Sequence, residues 1–353
     1  MKVSLNSKFI DGSYGGGMKF ANYLRDYLEK SGVSVVNNLS DDNIDIILHI
    51  SPFPFISKSS SYSFFDAFIY KLKHPNVVII QRVNECDERK GSGHINKLLV
   101  KASKYSDFVV FIASWLKPLL ENQGMALDKS YRIILNGADE KCFNLMEKKF
   151  WDKKEKLKII THHWSNNYMK GHDVYQKLDG LLNDKEFSEK FDFTYIGNIP
   201  KNLVYKNSKI LSPISGIELA NEIKKHHIYL TATRNEPAGM HHVEGALCGL
   251  PILYINSGAL SEYCGGFGLE FNIENFEEKL YEIRRNYDFW VDRIKNYNNT
   301  AKKMSAEYLN LFIDLYENRG RFYKKVKAKC FKIWYYKIYL IIYYFFWKVI
   351  KKI

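Results

Sequence analysis

Arg234 to Pro251 reads R-N-E-P-A-G-M-H-H-V-E-G-A-L-C-G-L-P. Pro237 and Gly239 shape a tight loop, Met240–Cys248 has helical spacing, and Gly249 ahead of Pro251 stops the helix. Met240, Val243, Ala246 and Leu247 mark that helix's buried side. An apolar strand, Ile228–Thr233, leads into the loop, and another, Pro251–Ile255, follows the helix. Strand, loop, helix, strand is the repeating unit of an α/β protein, with its functional loops at strand carboxyl ends.

The unit recurs in both directions from this stretch. Toward the N-terminus, strands are predicted at Lys2–Leu5, Val33–Val36, Asp45–Ile50, Val77–Val83, Phe108–Ala113 and Arg132–Leu135, then at Leu157–His162, Phe191–Ile196 and Ile210–Leu211. Helices are predicted between them at Met18–Lys30, His94–Tyr105, Ser114–Gln123, His172–Leu182 and Gly216–Lys225, and beyond them at Asn275–Tyr287 and roughly Phe289–Tyr316. Near-continuous apolar strands such as I-D-I-I-L-H-I suit parallel sheets covered on both faces. The Lys-rich break M-E-K-K-F-W-D-K-K-E-K at Met146–Lys156 divides the chain. The expectation is α/β: two doubly wound, Rossmann-like domains, 1–148 and 149–318, facing a central cleft, with a separate tail, 319–353.

Composition narrows the class. At 353 residues and 46% hydrophobic, the chain is long and apolar enough for two full cores. The first residues have no apolar signal core, and five cysteines scatter without a C-x-x-C pair. Both point to reduced thiols in the cytoplasm. Of the formal +13, ten lysines and arginines with no acid lie from Arg321 onward, leaving about +3 for the other 320 residues. That is too little for a nucleic-acid footprint.

The tail interleaves twelve aromatic residues with those basic ones, and its uncharged run, Ile338–Trp347, has only ten residues. A span needs about 20. Aromatics among lysines suit an anionic headgroup boundary, so peripheral attachment to the inner face of the cell membrane is expected. A C-terminal helix packed on the body is the other reading of the same residues.

The loop-helix stretch also carries chemistry. Glu236 lies in the loop and Glu244 eight positions on, among small residues where a charge requires a partner. Free backbone N–H groups at a helix start favour an anion, and flanking carboxylates accept from hydroxyls. A sugar diphosphate presents both. Other segments end strands on the same edge. Gly15-Gly16-Gly17 opens the first helix, Lys170-Gly171 sits at a loop-to-helix transition, and Gly197-Asn198 closes F-T-Y-I-G-N. Arg82 and Asn84, in Q-R-V-N-E, lie at a strand end of the first domain and read equally as cleft or as turn residues. His162, His163 and His172 come without a carboxylate cluster, and D-D-N-I-D at Asp41–Asp45 precedes its strand, so no metal is expected.

Taken together, E-P-A-G-M and E-G-A-L-C-G-L-P with Glu236 and Glu244, Gly15–Gly17, N-G-A-D at Asn136–Asp139, Lys170-Gly171 and N-S-G-A-L-S-E at Asn256–Glu262 resemble the family 4 retaining glycosyltransferases of the GT-B fold, in that family's order. The resemblance implies a metal-independent enzyme with no cofactor beyond its nucleotide-diphosphate sugar donor. It implies that Glu236 meets the sugar hydroxyls and Glu244 the nucleotide ribose. It implies that Lys170 and the backbone at Gly239 and Met240 neutralise the diphosphate, making Glu236 and Lys170 the catalytic pair. Gly16, Gly17, Gly197 and Asn198 are placed on the donor side, and Arg82 and Asn84 toward a glycan or lipid-linked acceptor of surface polysaccharide or lipopolysaccharide assembly. One departure stands out. The family's arginine five residues before Lys-Gly is Ser165 here, leaving Lys170 alone or with a substitute such as Arg234. A nucleotide-sugar epimerase and a non-catalytic membrane scaffold would share the architecture.

Overall fold

The computed structural model describes residues 1–9, 16–51, 59–126 and 131–323, together with Ile338 and Ile342. Gly15 and the tail beyond Tyr323, apart from the exposed Ile338 and Ile342, therefore lie outside the described residues.

One sheet comprises β1 (Lys2–Leu5), β2 (Ser34–Val36), β3 (Ile46–His49), β4 (Val78–Val83), β5 (Phe108–Phe111) and β6 (Tyr131–Ile133), ordered β2-β1-β3-β4-β5-β6. The other comprises β7 (Leu157–His163), β8 (Phe191–Gly197), β9 (Lys209–Leu211), β10 (Ile228–Thr231), β11 (Ile252–Ile255) and β12 (Gly268–Phe271), ordered β12-β11-β10-β7-β8-β9. Every pairing is parallel. The helices of the first half are α1 (Gly16–Lys30), α2 (Phe64–Lys73), α3 (Asp87–Lys90), α4 (Ile95–Ser103) and α5 (Leu116–Glu121). Those of the second are α6 (His172–Leu181), α7 (Lys185–Lys190), α8 (Gly216–Lys224), α9 (His241–Leu247), α10 (Leu260–Cys264), α11 (Phe276–Arg285), α12 (Tyr287–Ile294) and α13 (Ala301–Glu317).

The doubly wound expectation holds for both sheets. All residues of β3 and β4 are buried, including Gln81 and Arg82, because helices cover both faces. In the second sheet the chain winds outward from β7 through β8 to β9, then returns to β10 on β7's other side. The carboxyl ends of β7 and β10 therefore flank the switch point, where such sheets open a crevice.

Three differences have local causes. The single helix expected over roughly Phe289–Tyr316 is α12 and α13, because Asn298-Asn299-Thr300 favours side-chain-capped turns and Thr300 accepts from the Lys303 amide at 3.1 Å. Helix α2 starts at a Ser63/Asp66 capping box that the strand pattern conceals. Strand β12 has four residues, too short to show alternation.

Helix α13, within the second segment of the sequence division, packs on the first domain. Met304, Tyr308, Leu311, Phe312 and Leu315 join the core of Phe20, Leu24 and Leu28 from α1. Each such side chain contributes ~1.5–3 kcal/mol when buried. The N-G-A-D motif serves this crossing. A Cβ on Gly137 would lie 2.0 Å from the Thr300 carbonyl oxygen, and Ala138 bridges to Thr300. Among the described residues, no helix is long and apolar enough to cross a membrane.

Candidate active site

The strand ends face one cavity of about 530 Å³ between the two domains. Most of the expected site residues line it: Glu236, Gly239, Met240, Glu244, Lys170 and Gly197 from the second domain, and Gly17, Arg82 and Asn84 from the first. Gly16 begins α1 beside Gly17, where an added Cβ would meet open space. Asn198 is not among the lining residues; its side-chain amide donates to the Trp164 carbonyl at 2.6 Å and ties two rim loops together.

Glu236 is almost fully buried, and two cations converge on its Oε2. Lys170 Nζ donates at 2.8 Å and Arg89 Nε lies 3.3 Å away. Burial pushes this carboxyl up, but Lys170 and Arg89 pull it down further, so it sits below the ordinary range and remains ionised. Burial, reinforced by Arg89, holds the Lys170 ammonium below its ordinary value against the opposing pull of Glu236.

Glu244, inside α9, has the partners its setting demands. Its Oε2 pairs with His162 Nε2 at 2.8 Å and its Oε1 with Lys19 Nζ at 3.3 Å. The Tyr229 hydroxyl fixes the other ring nitrogen of His162 at 2.9 Å. Burial again opposes ionisation of Glu244, and the His162 hydrogen bond with Lys19 overcomes it.

Backbone shape places these groups. Gly171 has φ of +96°, and a Cβ there would lie 2.5 Å from that of Ala232, so Lys170 can approach β10 closely only with glycine beside it. The Ala259 amide donates to the Glu236 carbonyl at 2.9 Å, which makes N-S-G-A-L a support for the Glu236 loop. A Cβ on Gly258 would stand 2.5 Å from that same carbonyl oxygen, at a φ of +61°. Gly258→Ala is therefore expected to destabilise the fold by ~1–3 kcal/mol and displace Glu236. Thermal denaturation beside ligand titration checks it, and an unchanged melting temperature would contradict it.

Solved structures share this fold. HepE from Anabaena, in complex with UDP, matches with a TM-score of 0.66 at 11% identity, over 89% of this chain and 100% of that one. The fold is GT-B. The sucrose-phosphate synthase of Thermosynechococcus elongatus matches this GT-B chain with a TM-score of 0.62 at 11% identity, over 90% of this chain and 99% of that one. A glycosyltransferase from Rickettsia africae ESF-5 gives 0.60 at 15% identity, over 90% and 98%. No protein-family model matches the sequence, and no curated protein matches it.

The GT-B cleft also contains residues that the sequence pattern did not single out. Arg89, Lys19 and Lys90 reach it from the first domain. His162, weighed in the sequence only as a metal ligand, joins it from the end of β7. Nothing in a short D-E-R-K helix marks Arg89, since its partner lies 147 positions away. Arg234, offered as a substitute cation, is committed elsewhere: it forks onto Asp173 at 2.7 and 2.5 Å. Ser165 lines the cavity and accepts from the Asn167 amide at 3.2 Å. Among the described residues, no group of three or more His, Cys, Asp or Glu is placed to hold a metal ion.

Proposed function

We propose that this chain is a retaining glycosyltransferase that moves a sugar from a nucleoside-diphosphate donor to a glycan or lipid-linked acceptor. The observation carrying this reading is the pair of buried, ionised carboxylates, Glu236 and Glu244, on one cavity with Lys170 between the domains. A donor sugar offers hydroxyls to Glu236, a ribose offers hydroxyls to Glu244, and the diphosphate between them meets Lys170. The UDP complex of HepE, a protein of the same fold, supports a nucleotide in this cleft.

In the reaction, the bond from the anomeric carbon to the diphosphate oxygen breaks and its electron pair leaves with the phosphate. The acceptor oxygen bonds to that carbon on the same face, and its proton passes to the departing phosphate oxygen. The protein's contribution is positioning and charge stabilisation, so neither a metal nor a strong base is required of it. Arg82 and Asn84 line the first-domain side, where the acceptor would enter.

Incubation with a panel of nucleotide sugars and lipid-linked glycan acceptors tests the reaction. The expected product is a glycosylated acceptor with retained anomeric configuration, formed together with nucleoside diphosphate. Conversion of donor to an epimer without acceptor would establish the epimerase instead, and absence of turnover and of nucleotide binding would favour the scaffold.

The basic aromatic tail supports a cytoplasmic enzyme held at the inner face of the membrane during surface polysaccharide or lipopolysaccharide assembly. With vesicles containing anionic lipid, the full chain is expected to float and a chain ending at Arg319 to remain in the dense fraction. Equal flotation of the two would remove the membrane role.

A further inference from the structure

We infer that Arg89, from the first domain, supplies the second cation for the leaving diphosphate, in place of the one absent at Ser165. This rests on the donor reading proposed above.

The cavity's charges are out of balance in the direction an anion needs. Lys19, Arg82, Arg89, Lys90 and Lys170 line it against Glu85, Glu236 and Glu244, so five cations face three carboxylates and two positive charges remain. Arg89 is the best placed of the first-domain cations. Its side chain is 10% exposed, and its Nε lies 3.3 Å from the same Glu236 oxygen that Lys170 holds at 2.8 Å. Among the described residues, its two terminal nitrogens donate no hydrogen bond to the protein. A guanidinium with a free planar fork suits two phosphate oxygens, whereas the Ser165 hydroxyl carries no charge and Arg234 is occupied by Asp173.

The position of Arg89 is built into the fold. The Asp87 carboxylate accepts from the amides of His94 at 3.0 Å, Ile95 at 2.9 Å and Asn96 at 3.0 Å, folding the turn after α3 back onto it. The Asn96 side chain holds Glu88 at 3.0 Å, and the Asn235 amide donates to the Glu88 carbonyl at 3.3 Å. The Arg89 turn is thus fastened to the loop that carries Glu236. Without ligand, Glu236 is the counter-ion that keeps two buried cations side by side. With donor present, the phosphates take over that role, and Glu236 turns to the sugar. Stabilisation of the charge gained by the departing phosphate then draws on both domains at once.

Calorimetric titration of the full chain with UDP, GDP and ADP, and with the nucleoside of whichever binds tightest, decides the matter. Arg89→Gln is expected to weaken the diphosphate by about 30-fold, the usual effect of losing one charge-assisted contact, while the nucleoside changes less than about threefold. Arg89→Lys is expected to fall between, and Ser165→Arg added to Arg89→Gln to recover most of the loss. Diphosphate affinity in Arg89→Gln within about threefold of wild type would overturn the assignment, as would equal weakening of nucleotide and nucleoside. Failure of all three diphosphates to bind the wild-type chain would overturn the donor reading itself.

Discussion

Glu236→Ala is expected to lower donor turnover by about 10³-fold, the scale of losing a preorganised charged contact that acts on the transition state. The same change should leave nucleoside-diphosphate affinity unchanged or tighter. Lys170 and Arg89 both spend their charge on one Glu236 oxygen, and removing it frees them for phosphate. It also leaves two buried cations adjacent without a counter-ion, so stability should fall by ~3–5 kcal/mol. Added nucleotide should restore part of that loss, since an anion bound only by the folded state stabilises it. Single-turnover assays with calorimetry check the split. Wild-type turnover in Glu236→Ala would sink the assignment.

Acidification has the second large effect. Burial keeps His172, His226, His227 and His242 at about 4 and His49 at about 3, and pushes His163 and His241 well below their ordinary value. The folded chain therefore keeps these imidazoles neutral while the unfolded chain protonates them near pH 6.5. The unfolded state binds more protons below that pH, so stability is fully present above about 6.5 and falls as pH drops toward 4. A difference of only three protons gives a slope of ~4 kcal/mol per pH unit, against a total stability of ~5–15 kcal/mol. The depressed carboxyls of Glu236 and Glu244 add a further loss below about pH 4.3. Urea denaturation is expected to show a midpoint falling steeply between pH 6.5 and 5. His242→Phe should flatten that fall, because both His242 ring nitrogens are buried without a partner. A midpoint constant over this range would contradict the account.

Sequence periodicity exposed the strands well because parallel strands buried on both faces are written as short apolar runs. The second-domain lining of the cavity was legible for a similar reason. Glu236, Gly239, Met240 and Glu244 fall within one loop and helix, so their nearness follows from adjacency in the chain. Arg89, Lys19 and the pairing of His162 with Glu244 were not legible, since each side chain reaches its carboxylate across a fold-level distance that no local pattern encodes. The same limit hid the crossing of α13. Its apolar face is plain in sequence, but nothing there shows that the face meets α1. N-G-A-D shows the converse, a motif at a cleft edge whose glycine is required by close packing on Thr300.

The central claim is that this cleft binds a nucleoside diphosphate through Lys170 and its neighbours. Isothermal titration of UDP, GDP and ADP into the wild-type chain and Lys170→Ala tests it most directly. Micromolar binding of at least one is expected, weakened about 30-fold or more by Lys170→Ala, as loss of a charged phosphate contact requires. Absence of binding by all three, or binding that Lys170→Ala leaves untouched, would contradict it.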